Sequence, residues 1–175
     1  MKNRVMACLL AGGIAMAAGT GMAQEESDNR VAAETDWSVF VEDDPKECWS
    51  VSAPKETVNT RDGRVVAVRR SDILLFVTFR PGGNGGEVSF TGGSPFEGGS
   101  TVNLDIGGTR FELLTEGEWA WSASAQDDAK IITAMKRGAD AKLTARSTRG
   151  TKTEDTFSLL GVTAAIEEAE ERCSG

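Results

Sequence analysis

The 175-residue chain contains no histidine and no tyrosine. Histidine is the commonest general acid–base near neutral pH, so its absence removes the usual Ser–His and Cys–His nucleophile pairs. A serine–lysine pair would survive that loss, but is not expected here. With no histidine and few thiols, the chain also lacks the donors for a tetrahedral zinc site, and no metal or other cofactor is expected. Long apolar runs are equally scarce. One is found, in the segment from Val5 to about Ala18, and nothing later is long enough to span a bilayer, which takes roughly twenty residues.

That single run follows the basic opening Met1-Lys2-Asn3-Arg4 and precedes Gly21-Met22-Ala23, whose small residues suit a signal-peptidase pocket. The layout is that of a secretory signal peptide over residues 1–23, cleaved after Ala23. The mature protein is therefore expected in the periplasm or outside the cell. Cleavage removes Lys2 and Arg4 and no acid, leaving 17 basic against 27 acidic residues, a net charge of −10. Such a surface repels nucleic acid and anionic lipid.

Cleavage also removes Cys8, so Cys48 and Cys173 remain in an oxidising compartment. The alternatives are a Cys48–Cys173 bridge and two free thiols, and the bridge is the expectation. It would close a loop worth roughly 5 kcal/mol in the chain-entropy model, less any strain.

Residues 24–36 are polar and acidic without periodicity, and read as a disordered leader before one domain over 37–175. Beyond Trp37 the pattern has a period of two. Trp37, Val39 and Val41 share a face; Asp43-Asp44-Pro45 makes a turn; Cys48-Trp49-Ser50-Val51 starts a second strand. Residues 65–68 and 73–79 are the densest apolar stretches, and within the latter Ile73-Leu74-Leu75-Phe76-Val77 does not alternate, as in a central strand covered on both sides. A hairpin is written in Val102–Ile106, Gly107-Gly108 and 109–113, with two glycines suited to positive φ. Another pairs residues 141–145 with 157–159.

Two helices are expected. Residues 127–137 begin with acids and stop at Gly138; residues 163–172 place Val162, Ile166, Ala169 and Cys173 on one inward stripe. The fold class is thus mostly β: an antiparallel β-sandwich of about eight or nine strands with two short helices.

Candidate chemistry is sparse. The glycine-rich stretches 81–86 and 92–100 have neither a Gly-x-x-x-x-Gly-Lys pattern nor a following helix, and read as surface loops. Glu116 and Glu118 beside Trp119 and Trp121 form the one carboxylate pair suited to glycoside hydrolysis, though acids around Gly117 are expected to be solvated. Trp119 and Trp121 point to one side of a strand. Exposed, they would make a stacking platform for a sugar or peptide; core packing is the first expectation. Arg61, Arg64, Arg69, Arg70 and Arg80 concentrate positive charge and could meet a phosphate or carboxylate, against the simpler reading of solvated strand edges. The candidate ligand-binding residues are accordingly Trp119, Trp121, Arg64, Arg69 and Arg70.

The order of landmarks resembles the invasion-associated locus B family. These are Asp36-Trp37-Ser38-Val39 followed by Cys48, the helical Asp128-Ala129-Lys130-Ile131-Ile132-Thr133-Ala134-Met135-Lys136-Arg137-Gly138, and the closing Phe157-Ser158-Leu159-Leu160-Gly161-Val162-Thr163-Ala164-Ala165. The resemblance implies a small exported β-sandwich protein of alphaproteobacterial type, named for a role in host-cell invasion, and implies no particular reaction. Family members often carry a cysteine shortly after the first tryptophan and a Gly-Cys before the first helix; here those regions read Val39-Phe40-Val41 and Gly117-Glu118-Trp119. The expected protein is non-enzymatic and binds an envelope component or a protein partner. The alternative is a cell-wall glycan hydrolase using Glu116 and Glu118.

Overall fold

Alternating side chains that are inward-apolar and outward-polar make strands, and most of the longer strands among the described residues alternate this way. A computed structural model describes residues 29–174. The signal peptide expected over residues 1–23 and the leader residues 24–28 lie outside them. The strands are β1 (Arg30–Glu34), β2 (Trp37–Asp43), β3 (Lys46–Ser52), β4 (Glu56–Arg61), β5 (Arg64–Val65), β6 (Leu74–Phe79), β7 (Glu87–Thr91), β8 (Thr101–Ile106), β9 (Thr109–Glu116), β10 (Trp119–Trp121), β11 (Asp140–Arg146) and β12 (Lys152–Ser158). The helices are α1 (Ala125–Met135), before β11, and α2 (Val162–Cys173), after β12.

All twelve strands belong to one antiparallel sheet in the order β1-β2-β3-β6-β7-β10-β9-β8-β11-β12-β4-β5. This corrects the expected sandwich of eight or nine strands: a single sheet curls over its own core. Phe90 on β7 and Phe157 on β12 meet edge to face with centroids 6.1 Å apart. Their strands are five spacings apart, which would be about 24 Å in a flat sheet.

Three local expectations also change. The leader expected to run to residue 36 is ordered from residue 30, because β1 pairs with β2. Residues 65–68 are not a strand; only Arg64 and Val65 pair, with Arg61 and Thr60 of β4. β4 itself has no apolar alternation to announce it. Thr57, Asn59 and Arg61 alternate along it, and Thr57 serves a buried charge rather than an apolar core: its hydroxyl donates to Asp155 at 3.0 Å.

The hairpin turn is as expected, with Gly107 and Gly108 at φ of 58° and 86°, joining β8 to β9. α1 spans Ala125–Met135, so it starts and ends two residues earlier than expected. Ser124 caps it by accepting from the Asp127 amide at 3.2 Å, and buried Asp128 accepts from the Val88 amide at 2.8 Å, tying the helix start to β7. α2 buries Val162, Ile166, Ala169 and Cys173 as its stripe predicts, and packs on β1, β2, β3 and β6. It can enter there because Gly161, at φ 88°, passes so near Glu34 that a Cβ would lie 1.9 Å from the Glu34 carbonyl oxygen. Cys173 at its end is bonded to Cys48 of β3, with Cα atoms 5.8 Å apart. Full burial of side chains such as Trp37, Leu75, Leu104 and Phe157 contributes roughly 1.5–3 kcal/mol each.

Candidate ligand-binding face

Strand register decides which side chains share the outer face of the sheet. Phe40 pairs with Trp49, Trp49 with Thr78, Phe76 with Ser89, and Ser89 with Trp121. With the inner positions Val39, Cys48, Val77, Val88 and Ala120 buried, the alternate residues face outward. The result is a row of aromatic rings across β2, β3, β6, β7 and β10, spanning four strand spacings or about 19 Å. Phe40 and Trp49 stack at 5.7 Å and 7°. Trp119 and Trp121 stack at 6.3 Å and 17°, and Phe76 leans on Trp119 at 5.7 Å.

This row overturns the expectation that Trp119 and Trp121 pack in the core. Trp119 is 36% exposed and Trp121 is half-buried, while Ala120 between them points into the core. Ser89 lies outward between Phe76 and Trp121 yet is buried. Phe76 is half-buried against Trp119, and β6 alternates between half-buried and fully buried positions, so the strand expected to be covered on both sides is fully covered on its inner side only. Trp49, Phe76, Trp119 and Trp121 line a shallow depression of about 340 Å³, and Phe40 lies outside it. At one rim Arg80 binds Glu47 at 2.5 Å and Glu87 at 3.2 Å, so this arginine is neutralised by its neighbours.

The other arginines part company. Arg70 is not a ligand residue: its side chain is 4% exposed and makes a two-pronged pair with fully buried Asp155, one prong at 2.9 Å, while also donating to the Gly92 carbonyl at 3.0 Å. Arg64 is exposed on the short edge strand β5. Arg69 lines a separate polar cleft on the same side of the molecule as the β11–β12 turn.

The two carboxylates proposed for hydrolysis do not line a common cleft. Glu116 and Glu118 flank the tight turn at Gly117, φ 61°; Glu118 lines the polar cleft, and exposed Glu116 is not among its walls. Glycoside chemistry needs both groups to flank one bond. A serine–x–x–lysine spacing does occur, at Ser52 and Lys55, but the two side chains are committed elsewhere. The Ser52 hydroxyl donates to the Asp36 carbonyl at 2.6 Å, and exposed Lys55 pairs with Asp140. Among the described residues, no group of three or more Cys, Asp and Glu side chains is arranged to hold a metal ion, and no helix is long and apolar enough to cross a membrane. Phe40, Trp49 and Phe76 were not singled out by sequence reasoning. The signal available was their outward phase in strands whose inward positions were already apolar.

Fold and face define a small antiparallel β protein, one curled sheet closed by a cross-linked terminal helix. The family model described as Invasion associated locus B (IalB) protein matches residues 99–170, from just before β8 into α2. The fold is similar to that of a crystal structure of invasion associated protein B from Bartonella henselae, with a TM-score of 0.53 and 15% sequence identity over 79% of this chain and 94% of that one. No curated protein matches the sequence. The resemblance to the invasion-associated locus B family read from the landmarks is thereby supported from both sequence and fold.

Proposed function

We propose that this chain is an exported, non-enzymatic binding protein of the cell envelope or its surroundings, and that the aromatic row is its contact surface. The observation that carries this reading is the outward row itself. The solvated face of an antiparallel sheet is ordinarily polar, and exposing stacked tryptophans to water is unfavourable unless something covers them. Flat, amphipathic indoles offer large contact area with little rotamer entropy to lose, which suits the ring faces of sugars or the side chains of an extended peptide. The Glu47–Arg80–Glu87 trio at the rim supplies polar edges to orient such a ligand. Export rests on the N-terminal layout of residues 1–23.

The test is retention of the purified mature chain on isolated envelope fractions, followed by quenching of tryptophan fluorescence with the solubilised fraction that retains it. Trp121→Ala and Trp49→Ala should each abolish retention while leaving the circular dichroism spectrum intact. Failure of the wild-type chain to be retained on any fraction would sink the reading.

A further inference from the structure

A second site lies apart from the aromatic face. The cleft lined by Arg69 encloses about 520 Å³ and is also walled by Arg61, Arg149, Ser94, Thr148 and Glu118. Three arginines and one glutamate therefore line the cleft, in a chain whose acids outnumber its bases 27 to 19. Elsewhere, Arg70, Arg80, Arg110, Arg146 and Arg172 are each paired with a carboxylate. Among the described residues, Arg61, Arg69 and Arg149 have no carboxylate within 4.0 Å; Arg64 and Arg137 also have none but lie outside the cleft, which is set apart by gathering three such arginines. Unneutralised like charges gathered around one cavity repel each other, and a bound anion relieves that repulsion.

The walls are held in place before any ligand arrives. Arg61 donates to the hydroxyl of buried Thr151 at 2.7 Å. The Ser71 amide donates to Gly93 at 2.9 Å, the Thr148 amide to Pro95 at 3.0 Å and the Glu97 amide to Arg146 at 2.9 Å. The buried Arg70–Asp155 pair, through Gly92, anchors the loop behind them. We propose that this cleft binds a phosphate-class oxyanion carried by a polar, hydroxyl-bearing molecule. The formal excess of two positive charges matches a phosphomonoester, and the guanidinium fork matches its oxygens. The volume exceeds that of the anion alone and falls within the range of small-ligand sites. Ser94, Thr148 and Glu118 offer partners for hydroxyl groups of the body that carries the phosphate.

The soluble sugar phosphate and the phosphorylated lipid headgroup share this chemistry, and calorimetric titration of the mature chain at constant ionic strength separates them. The probes are inorganic phosphate, glucose 6-phosphate, glucose, and vesicles containing phosphatidic acid. Glucose 6-phosphate should bind more tightly than inorganic phosphate, and glucose should not bind; binding to the vesicles alone would assign the same cleft to a lipid headgroup. Arg69→Ala and Arg149→Ala should each weaken binding about tenfold. Arg137→Ala, which lies outside the cleft, should leave it unchanged, as should Trp121→Ala, so failure here is distinguishable from failure of the aromatic face. No binding of any phosphate compound by a folded wild-type chain, or equal binding by the Arg69→Ala/Arg149→Ala double variant, would overturn the proposal.

Discussion

The outer face of the sheet has two halves that obey the same alternation and present opposite chemistry. Across β2, β3, β6 and β10 the outward residues are Phe40, Trp49, Phe76, Trp119 and Trp121. Across β8, β9, β11 and β12 they include Asn103, Asp105, Arg110, Glu112, Lys142 and Glu154, some of them in ion pairs such as Asp105–Arg110 at 3.6 Å and Lys152–Glu154 at 3.4 Å; the apolar exception is exposed Leu114, which pairs with Trp121 at the border with the aromatic half. The inner residues behind both halves are uniformly small or apolar except at Asp155. A curled sheet needs only its inner face to fold, so the outer face is free to differ, and the aromatic half is where it departs from what solvation favours.

The largest expected effect concerns what braces the aromatic half from behind. Replacing Cys48 and Cys173 by serine should lower unfolding free energy by about 5 kcal/mol, since the bridge spans a sequence separation of 125 residues. Denaturant unfolding with and without reductant measures it, and an unchanged midpoint would mean that α2 stays docked without the bond.

Next comes the one buried charge behind the polar half. Asp155→Ala leaves the Arg70 guanidinium buried without its partner and should cost about 3–5 kcal/mol. The Arg70→Met/Asp155→Leu double variant should recover much of that loss; if it were no better than Asp155→Ala, the cost would come from packing rather than from the uncompensated charge.

The third contrast is between the outward faces themselves. Trp121→Ala should cost only about 1 kcal/mol of stability, the worth of an aromatic pair, while removing envelope retention. Lys142→Ala or Glu154→Ala in the polar half should stay within about 0.5 kcal/mol and leave retention intact. Equal loss of retention in both halves would erase the distinction.

The smallest effect is at the start of α1. Hydrogen bonds from Lys130 and Ser124 hold the Asp127 carboxyl below its ordinary value of 3.8, with the Lys130 charge adding to them against slight desolvation. A depressed carboxyl contributes stability that is present above its unfolded pKa and lost as pH falls through the lower folded one. Amide exchange at the N-terminus of α1 should therefore accelerate only below about pH 4, and Asp127→Asn should remove that acid-dependent step.

Much of the local fold was legible. The glycine pair dictated the β8–β9 turn, because only residues tolerant of positive φ fit two successive left-handed positions. The spacing of Val162, Ile166, Ala169 and Cys173 placed the thiol on the inward stripe of α2, where it is bonded to Cys48. The site was less legible. Trp119 and Trp121 were correctly put on one side of a strand, but the side was assigned to the core. Arg70 was grouped with solvated arginines, although it is the one whose charge is buried. β1 and β4 escaped notice because their own residues carry too little apolar contrast; they are strands by virtue of the neighbours they pair with.

By itself, then, the sequence determined period: where strands alternate, where the chain must turn, and which helix residues share a stripe. Tertiary structure decided phase and neighbourhood. A strand's alternation does not say which set of side chains faces inward, since both sets of β6 contain large apolar residues, and in β10 the large residues face out while Ala120 faces in. The answer comes from pairing β6 between β3 and β7, and β10 between β7 and β9, and from α2 covering only one side. The same placement brings Arg61, Arg69 and Arg149 to a single cleft and sends Arg70 beneath it to Asp155, an arrangement that exists only once residues 61–155 have been folded back on one another.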